Sequence, residues 1–136
     1  MARTILIVDD DPEFLSALSS LLAQTGYEIR TAMSGGEALA FLDSGVFIDG
    51  VIIDLVMPVL GGLSLIGRIA KIQKLPVPII AVSGAYNVDT DLEVAEYLGA
   101  KVSLRKPQRG NPLTPILDAL MTIVPPQSEE RQAVIA

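Results

Sequence analysis

Four short apolar runs in this sequence each lead into residues that could do chemistry. Ile5-Leu6-Ile7-Val8 runs into Asp9-Asp10-Asp11, and Val51-Ile52-Ile53 into Asp54. Ile79-Ile80-Ala81-Val82 runs into Ser83-Gly84, and Val102-Ser103-Leu104 is followed shortly by Lys106-Pro107. The chain holds no histidine and no cysteine. A Ser-His-Asp triad, thiolate chemistry, imidazole metal sites and disulfides are thereby excluded. The best nucleophile left is a carboxylate, which can attack phosphorus and form an acyl phosphate. Carboxylates gathered in one place repel each other unless a cation neutralises them. An all-oxygen set of this kind suits Mg2+ or Mn2+, with water and phosphate completing the shell. A lysine ammonium is a mobile point charge suited to phosphate oxygens. A serine hydroxyl can donate to a phosphoryl oxygen. Together these groups could stabilise an in-line phosphoryl transfer.

That chemistry requires elements that bring the runs together. After the first strand, Asp11 and Pro12 give an N-cap and a proline at the first helical position. Phe14, Leu15, Leu18, Leu21 and Leu22 then form a core stripe at helical period, and Gly26 stops the helix. A more polar strand is predicted near Tyr27 to Thr31. Ser34 and Glu37 have the spacing of a capping box for a second helix, which Gly45 ends. The unbroken apolar run before Asp54 suits a strand covered on both faces. Met57 to Gly62, with Pro58, Gly61 and Gly62, reads as a loop, the glycines as a backbone requirement. Ile66, Ile69, Ile72 and Leu75 mark a third helix, broken by Pro76 and Pro78. A fourth helix is predicted from about Asp89 to Leu98 with Gly99 behind it, and a last one from about Pro112 to Val124.

Five strands alternating with five helices imply a parallel sheet wrapped on both faces. Right-handed crossovers favour a flavodoxin-like, doubly wound α/β fold in strand order 2-1-3-4-5. In that order the first, third, fourth and fifth strands are neighbours, so their polar ends converge on one patch. Each motif alone also fits a turn or a helix cap; their coincidence at neighbouring strand ends carries the reading. The 136 residues fit one domain, expected over residues 3–124, with 125–136 as a tail or linker stub. A formal charge of -6 argues against direct nucleic-acid binding. No apolar stretch approaches the roughly 18 residues of a membrane span, so a soluble cytoplasmic domain is expected.

The four motifs, with Leu55-Val56-Met57-Pro58 and Leu98-Gly99-Ala100 beside them, resemble the receiver domain of two-component response regulators over about residues 3 to 124. The resemblance implies that Asp54 accepts a phosphoryl group from a histidine kinase or a histidine phosphotransfer protein. It implies that Asp9, Asp10, Asp54 and the backbone carbonyl of Val56 hold Mg2+ (or Mn2+), Asp10 directly and Asp9 largely through water. Ser83 matches the hydroxyl that moves to the phosphoryl group, and Lys106 the lysine that contacts it. Pro107 matches the proline after that lysine, whose peptide bond is cis in the family. Such a domain catalyses only its own phosphorylation and dephosphorylation. It is expected to act as a monomer or weak homodimer, with a partner face on the last helix, the preceding helix and the fifth strand.

Departures from the family pattern fall on that face. The switch position three residues before the lysine, usually aromatic, is Ser103, and the position after Lys-Pro is Gln108. Ser103 leaves a second reading open, a phosphorylation-independent interaction module that keeps the fold without the usual switch. Val56 and Ala85 occupy positions that influence water attack on the acyl phosphate, and both are apolar, so slow self-dephosphorylation is expected. A hydrolase with an aspartyl intermediate would want a second acid where Val56 stands. A flavin site would want hydroxyls and glycines where the three aspartates stand.

Overall fold

The computed structural model describes residues 2–57, 60–72, 77–84 and 88–127, the side chains of Ile72, Val88 and Asp89 excepted. Pro58, Leu75, Pro76, Ala85, Tyr86 and the tail beyond Gln127 lie outside the described residues. The chain runs β1 (Thr4–Val8), α1 (Pro12–Gln24), β2 (Glu28–Ala32), α2 (Gly35–Asp43), β3 (Gly50–Asp54), α3 (Gly62–Ile72), β4 (Ile79–Ser83), α4 (Val88–Leu98), β5 (Val102–Arg105) and α5 (Thr114–Ile123). All strand pairs are parallel, in the order β2-β1-β3-β4-β5. This is the expected flavodoxin-like α/β fold.

The helix starts follow from local chemistry. The Asp11 carboxylate accepts from the Glu13 N–H at 3.0 Å, and Pro12 opens α1. The Ser34 hydroxyl accepts from the Glu37 N–H at 3.1 Å, while Glu37 accepts from Met33 N–H, one residue before the cap, at 3.3 Å. Helix α5 begins at Thr114 rather than near Pro112. Asn111 N–H bonds the Gln108 carbonyl at 2.9 Å, and this turn keeps Asn111 and Pro112 in the loop.

Strand alternation sends successive side chains to opposite layers. Leu6, Val8, Val51, Ile53, Ile79 and Ala81 pack with α2, α3 and α4. Ile5, Ile7, Ile52, Ile80 and Val82 pack with α1 and α5, where Leu18, Leu22, Ile116 and Leu120 complete the layer. Each such buried Leu or Ile contributes roughly 1.5–3 kcal/mol over leaving it in water. Within the second layer the Tyr27 hydroxyl donates to the Val124 carbonyl at 2.7 Å, and burial raises its pKa. Past α5 the chain turns back: Arg3 N–H bonds the Pro126 carbonyl at 3.0 Å, and Ala2 and Gln127 form an antiparallel bridge.

Candidate functional site

The parallel register fixes which polar ends meet. Val8 pairs with Ile53, Asp54 with Val82, and Ser83 with Arg105, so Asp9, Asp54, Ser83 and Lys106 lie along one edge of the sheet. Asp9 N–H bonds the Ala32 carbonyl at 3.1 Å and Lys106 N–H bonds the Ser83 carbonyl at 2.9 Å, which carries the ladder one residue past the strands.

Asp9, Asp54 and Ser83 are buried, and Asp10 is exposed. One carboxylate oxygen from each of Asp9, Asp10 and Asp54 lies within 4.8 Å of the other two. Backbone N–H groups hold the two buried acids. Asp11 N–H donates to Asp9 Oδ1 at 2.9 Å, and Val56 N–H donates to Asp54 Oδ1 at 3.1 Å. The other oxygens face Lys106, whose Nζ is 2.8 Å from Asp9 Oδ2 and 3.7 Å from Asp54 Oδ2. The arrangement leaves the ammonium closer to Asp9.

Electrostatics register the crowding. Burial and then the neighbouring Asp9 charge push Asp54 up to about 6. Burial also raises Asp9, against the opposing pull of Lys106 and the Asp11 N–H. For Lys106, burial acts downward, but the hydrogen bond to Asp9 and the charges of Asp54, Asp9 and Asp11 outweigh it and hold the ammonium above its ordinary range. Among the described residues a single lysine faces the three acids, which leaves the cluster with a surplus of negative charge. Oxygen donors at this spacing, with that surplus, fit a hard divalent cation.

Gly62, at the start of α3, serves this geometry directly. A Cβ there would collide with the Asp54 carbonyl oxygen and come within 2.6 Å of Leu55 Cα. Only a residue without a side chain lets α3 start against the backbone that presents Asp54. Its partner Gly61 has no such conflict, since a Cβ there would come no closer than 3.8 Å to the Leu55 carbonyl.

A model of the response regulator receiver domain matches residues 5–118. The chain belongs to that family. Response regulator GtcR of Aneurinibacillus migulanus is 38% identical over 107 residues, which is 79% of this chain and 43% of that protein. The chain spans less than half the length of the first curated relatives it matches. Among solved structures, chemotaxis protein CheY4 of Vibrio cholerae superposes with a TM-score of 0.77 at 27% identity, covering 91% of this chain and 100% of that one. Response regulator TrrA of Thermotoga maritima, solved with Mg2+ and BeF, gives a TM-score of 0.71 at 33% identity, covering 87% and 98%. Receivers serve two-component systems, in which phosphorylation and magnesium are typical.

Measured against the sequence expectations, this receiver brings Asp9, Asp10, Asp54 and Lys106 together, with Ser83 buried at the adjoining strand end. Val56 meets Asp54 through its N–H, and its side chain is exposed. Pro107 is half-buried, and the peptide bond before it is trans, since no peptide among the described residues is cis. The resemblance had implied cis. For a bond to proline the two forms differ by only about 0.5–1 kcal/mol, so the local sequence does not decide between them. Ser103 donates to Glu96 on α4 at 2.9 Å. Two contacts at the site had no local signal: Phe14 beneath the Lys106 ammonium and Glu13 paired with Arg109. Phe14 read as one more member of the α1 stripe, although the third residue of a helix that starts beside Asp9 necessarily lies near the site.

Proposed function

We propose that this receiver accepts a phosphoryl group on Asp54 from the phosphohistidine of a histidine kinase or histidine phosphotransfer protein, in a reaction that depends on Mg2+ (or Mn2+). The observation that carries the reading is the buried Asp54 carboxylate with Asp9, Asp10 and Lys106 gathered about it. In the transfer an Asp54 oxygen attacks phosphorus, the P–N bond breaks, and the imidazole leaves with the bonding pair and takes a proton. The product is an acyl phosphate. Asp9, Asp10, Asp54 and the Val56 carbonyl would hold the cation, which when bound neutralises charge on the transferring group. Lys106 supplies the second positive charge and Ser83 a hydroxyl donor. The apolar, half-exposed Val56 at the rim supports a long-lived acyl phosphate, with a lifetime beyond seconds.

The domain is proposed to span residues 3–124, to work in the cytoplasm as a monomer or weak homodimer, and to catalyse no reaction but its own phosphorylation and dephosphorylation. No helix among the described residues is long and apolar enough to cross a membrane. The phosphorylation-independent reading is not favoured, because the acidic set and Lys106 are all present and mutually placed. Acetyl phosphate with Mg2+ tests the proposal by intact mass. The wild-type chain should gain one phosphoryl group and Asp54→Asn none. Equal uptake by the two would refute Asp54 as acceptor.

A further inference from the structure

The Lys106 ammonium has a third neighbour besides the two acids. Its Nζ lies 4.3 Å from the centroid of the Phe14 ring. Phe14 is 8% exposed and belongs to the core layer under α1 and α5, yet the face of its ring meets a cation. The lysine side chain is 18% exposed, so water has limited access to the contact. An aromatic face carries negative charge density and attracts an ammonium within about 6 Å, more strongly as water is removed.

We infer that Phe14 is a positioning residue for phosphoryl transfer, its ring holding the Lys106 ammonium beside Asp54 when Asp9 turns to the cation. The inference rests on Asp54 being the acceptor. Of the two acids, Asp9, at 2.8 Å, is the closer anchor and Asp54, at 3.7 Å, the looser one. Asp9 would be one of the residues that hold a divalent ion, and its charge would then be shared, which would weaken that first anchor. Lysine hangs on a flexible four-carbon stem and would gain freedom to swing outward. The ring neither titrates nor competes for the ion, and no arriving oxygen replaces it. Among the described residues it is the contact of the ammonium that carries neither a titratable nor a metal-binding group.

The frame around the ring agrees with this role. Asp11 and Pro12 fix the first turn of α1, which sets where Phe14 stands. Glu13, its neighbour, pairs with Arg109 at 2.6 Å and ties the loop after Lys106 to that same turn. The pair is exposed and stabilises little by itself; it sets register between the lysine's loop and the ring. An aliphatic residue at position 14 would cover the lysine stem equally well but would offer no charge to the ammonium. Phe14→Leu therefore separates a positioning role from packing.

Two measurements on the wild-type chain, Phe14→Leu and Phe14→Tyr decide the matter. NMR of the Lys106 methylene next to Nζ, without metal, reads the ring directly. An upfield ring-current displacement is expected in the wild type and Phe14→Tyr, and its loss in Phe14→Leu. Phosphorylation at saturating acetyl phosphate and Mg2+ should slow in Phe14→Leu by roughly fivefold to thirtyfold, the scale of a desolvated cation–π contact. Its melting temperature should fall by several degrees, because the ring is part of the core and its contact with Lys106 is lost, while the variant stays folded at the assay temperature, and Phe14→Tyr should recover the rate. A folded Phe14→Leu as fast as the wild type overturns the role. So does the absence of any ring-current displacement in the wild type, which needs no variant to fold. A wild-type chain that shows the displacement but takes up no phosphoryl overturns the acceptor reading, and this role with it, while leaving the contact itself standing.

Discussion

Ser103 Oγ, on β5, donates to Glu96 Oε2, on α4, at 2.9 Å. The position where receivers usually carry an aromatic ring is occupied by a hydroxyl that bonds an acid of the neighbouring helix. An exposed bond of this kind stabilises weakly. Ser103→Ala should cost less than about 1 kcal/mol in urea unfolding and should leave the rate of Asp54 phosphorylation unchanged. A slowed variant would place Ser103 in the chemistry rather than in the coupling of β5 to α4.

Asp54 makes the stability of the metal-free protein depend on pH in a defined direction. Its pKa rises from 3.8 to about 6 on folding, so between those values the folded state holds more protons than the unfolded one. Stability from this group is therefore full below 3.8 and is lost as pH rises through about 6. Asp54→Asn removes the buried charge. In EDTA it should be more stable than the wild type at neutral pH by roughly 1–3 kcal/mol. The gain should shrink as the buffer is made acidic through that same window, which denaturant titrations across pH will measure.

The same protons oppose the cation. With Asp54 near 6 and Asp9 also raised, protonation empties the site of the charge that a divalent ion needs. Mg2+ affinity should fall steeply from about pH 7.5 to about pH 5, and Asp10→Asn should weaken it at the higher pH. Calorimetric or NMR titration reads both. An affinity flat across this range would mean that the ion is not held by these acids.

Gly62→Ala places a methyl group against the Asp54 carbonyl and Leu55 Cα, neither of which is the free end of a side chain. The loss in stability should be about 1–3 kcal/mol or more, and phosphorylation should slow as Asp54 shifts. Gly61→Ala, with nothing nearer than 3.8 Å to meet, is the control and should be mild on both counts.

Much of this was legible in the sequence because its causes are local or periodic. The apolar runs gave β1, β3 and β4, and Asp11 and Ser34 marked the starts of α1 and α2 through side-chain oxygens that do accept from Glu13 and Glu37. Strict alternation of strand and helix then forced the order that joins Asp9, Asp54 and Lys106. What sequence reading missed depends on side chains meeting across long separations. Glu13 and Arg109 stand 96 residues apart, and nothing near either one announces the other. Phe14 fitted a helical stripe so well that its second face, toward Lys106, left no trace in the pattern. The start of α5 moved because a turn between Gln108 and Asn111 competes with the helix for the same backbone. The need for glycine was visible in the Gly61-Gly62 pair, but only the approach of α3 to Asp54 shows which of the two carries it.

The pairing of Ala2 with Gln127 and of Arg3 with Pro126 puts both ends of the described chain at the amino edge of the sheet, the pole away from the acids. A dye attached at Ala2 or Gln127 would sit at that pole. The acidic mouth around Asp54 would stay uncovered, and a probe at the opposite pole would be blind to events at Asp54 unless they travel the full length of the strands.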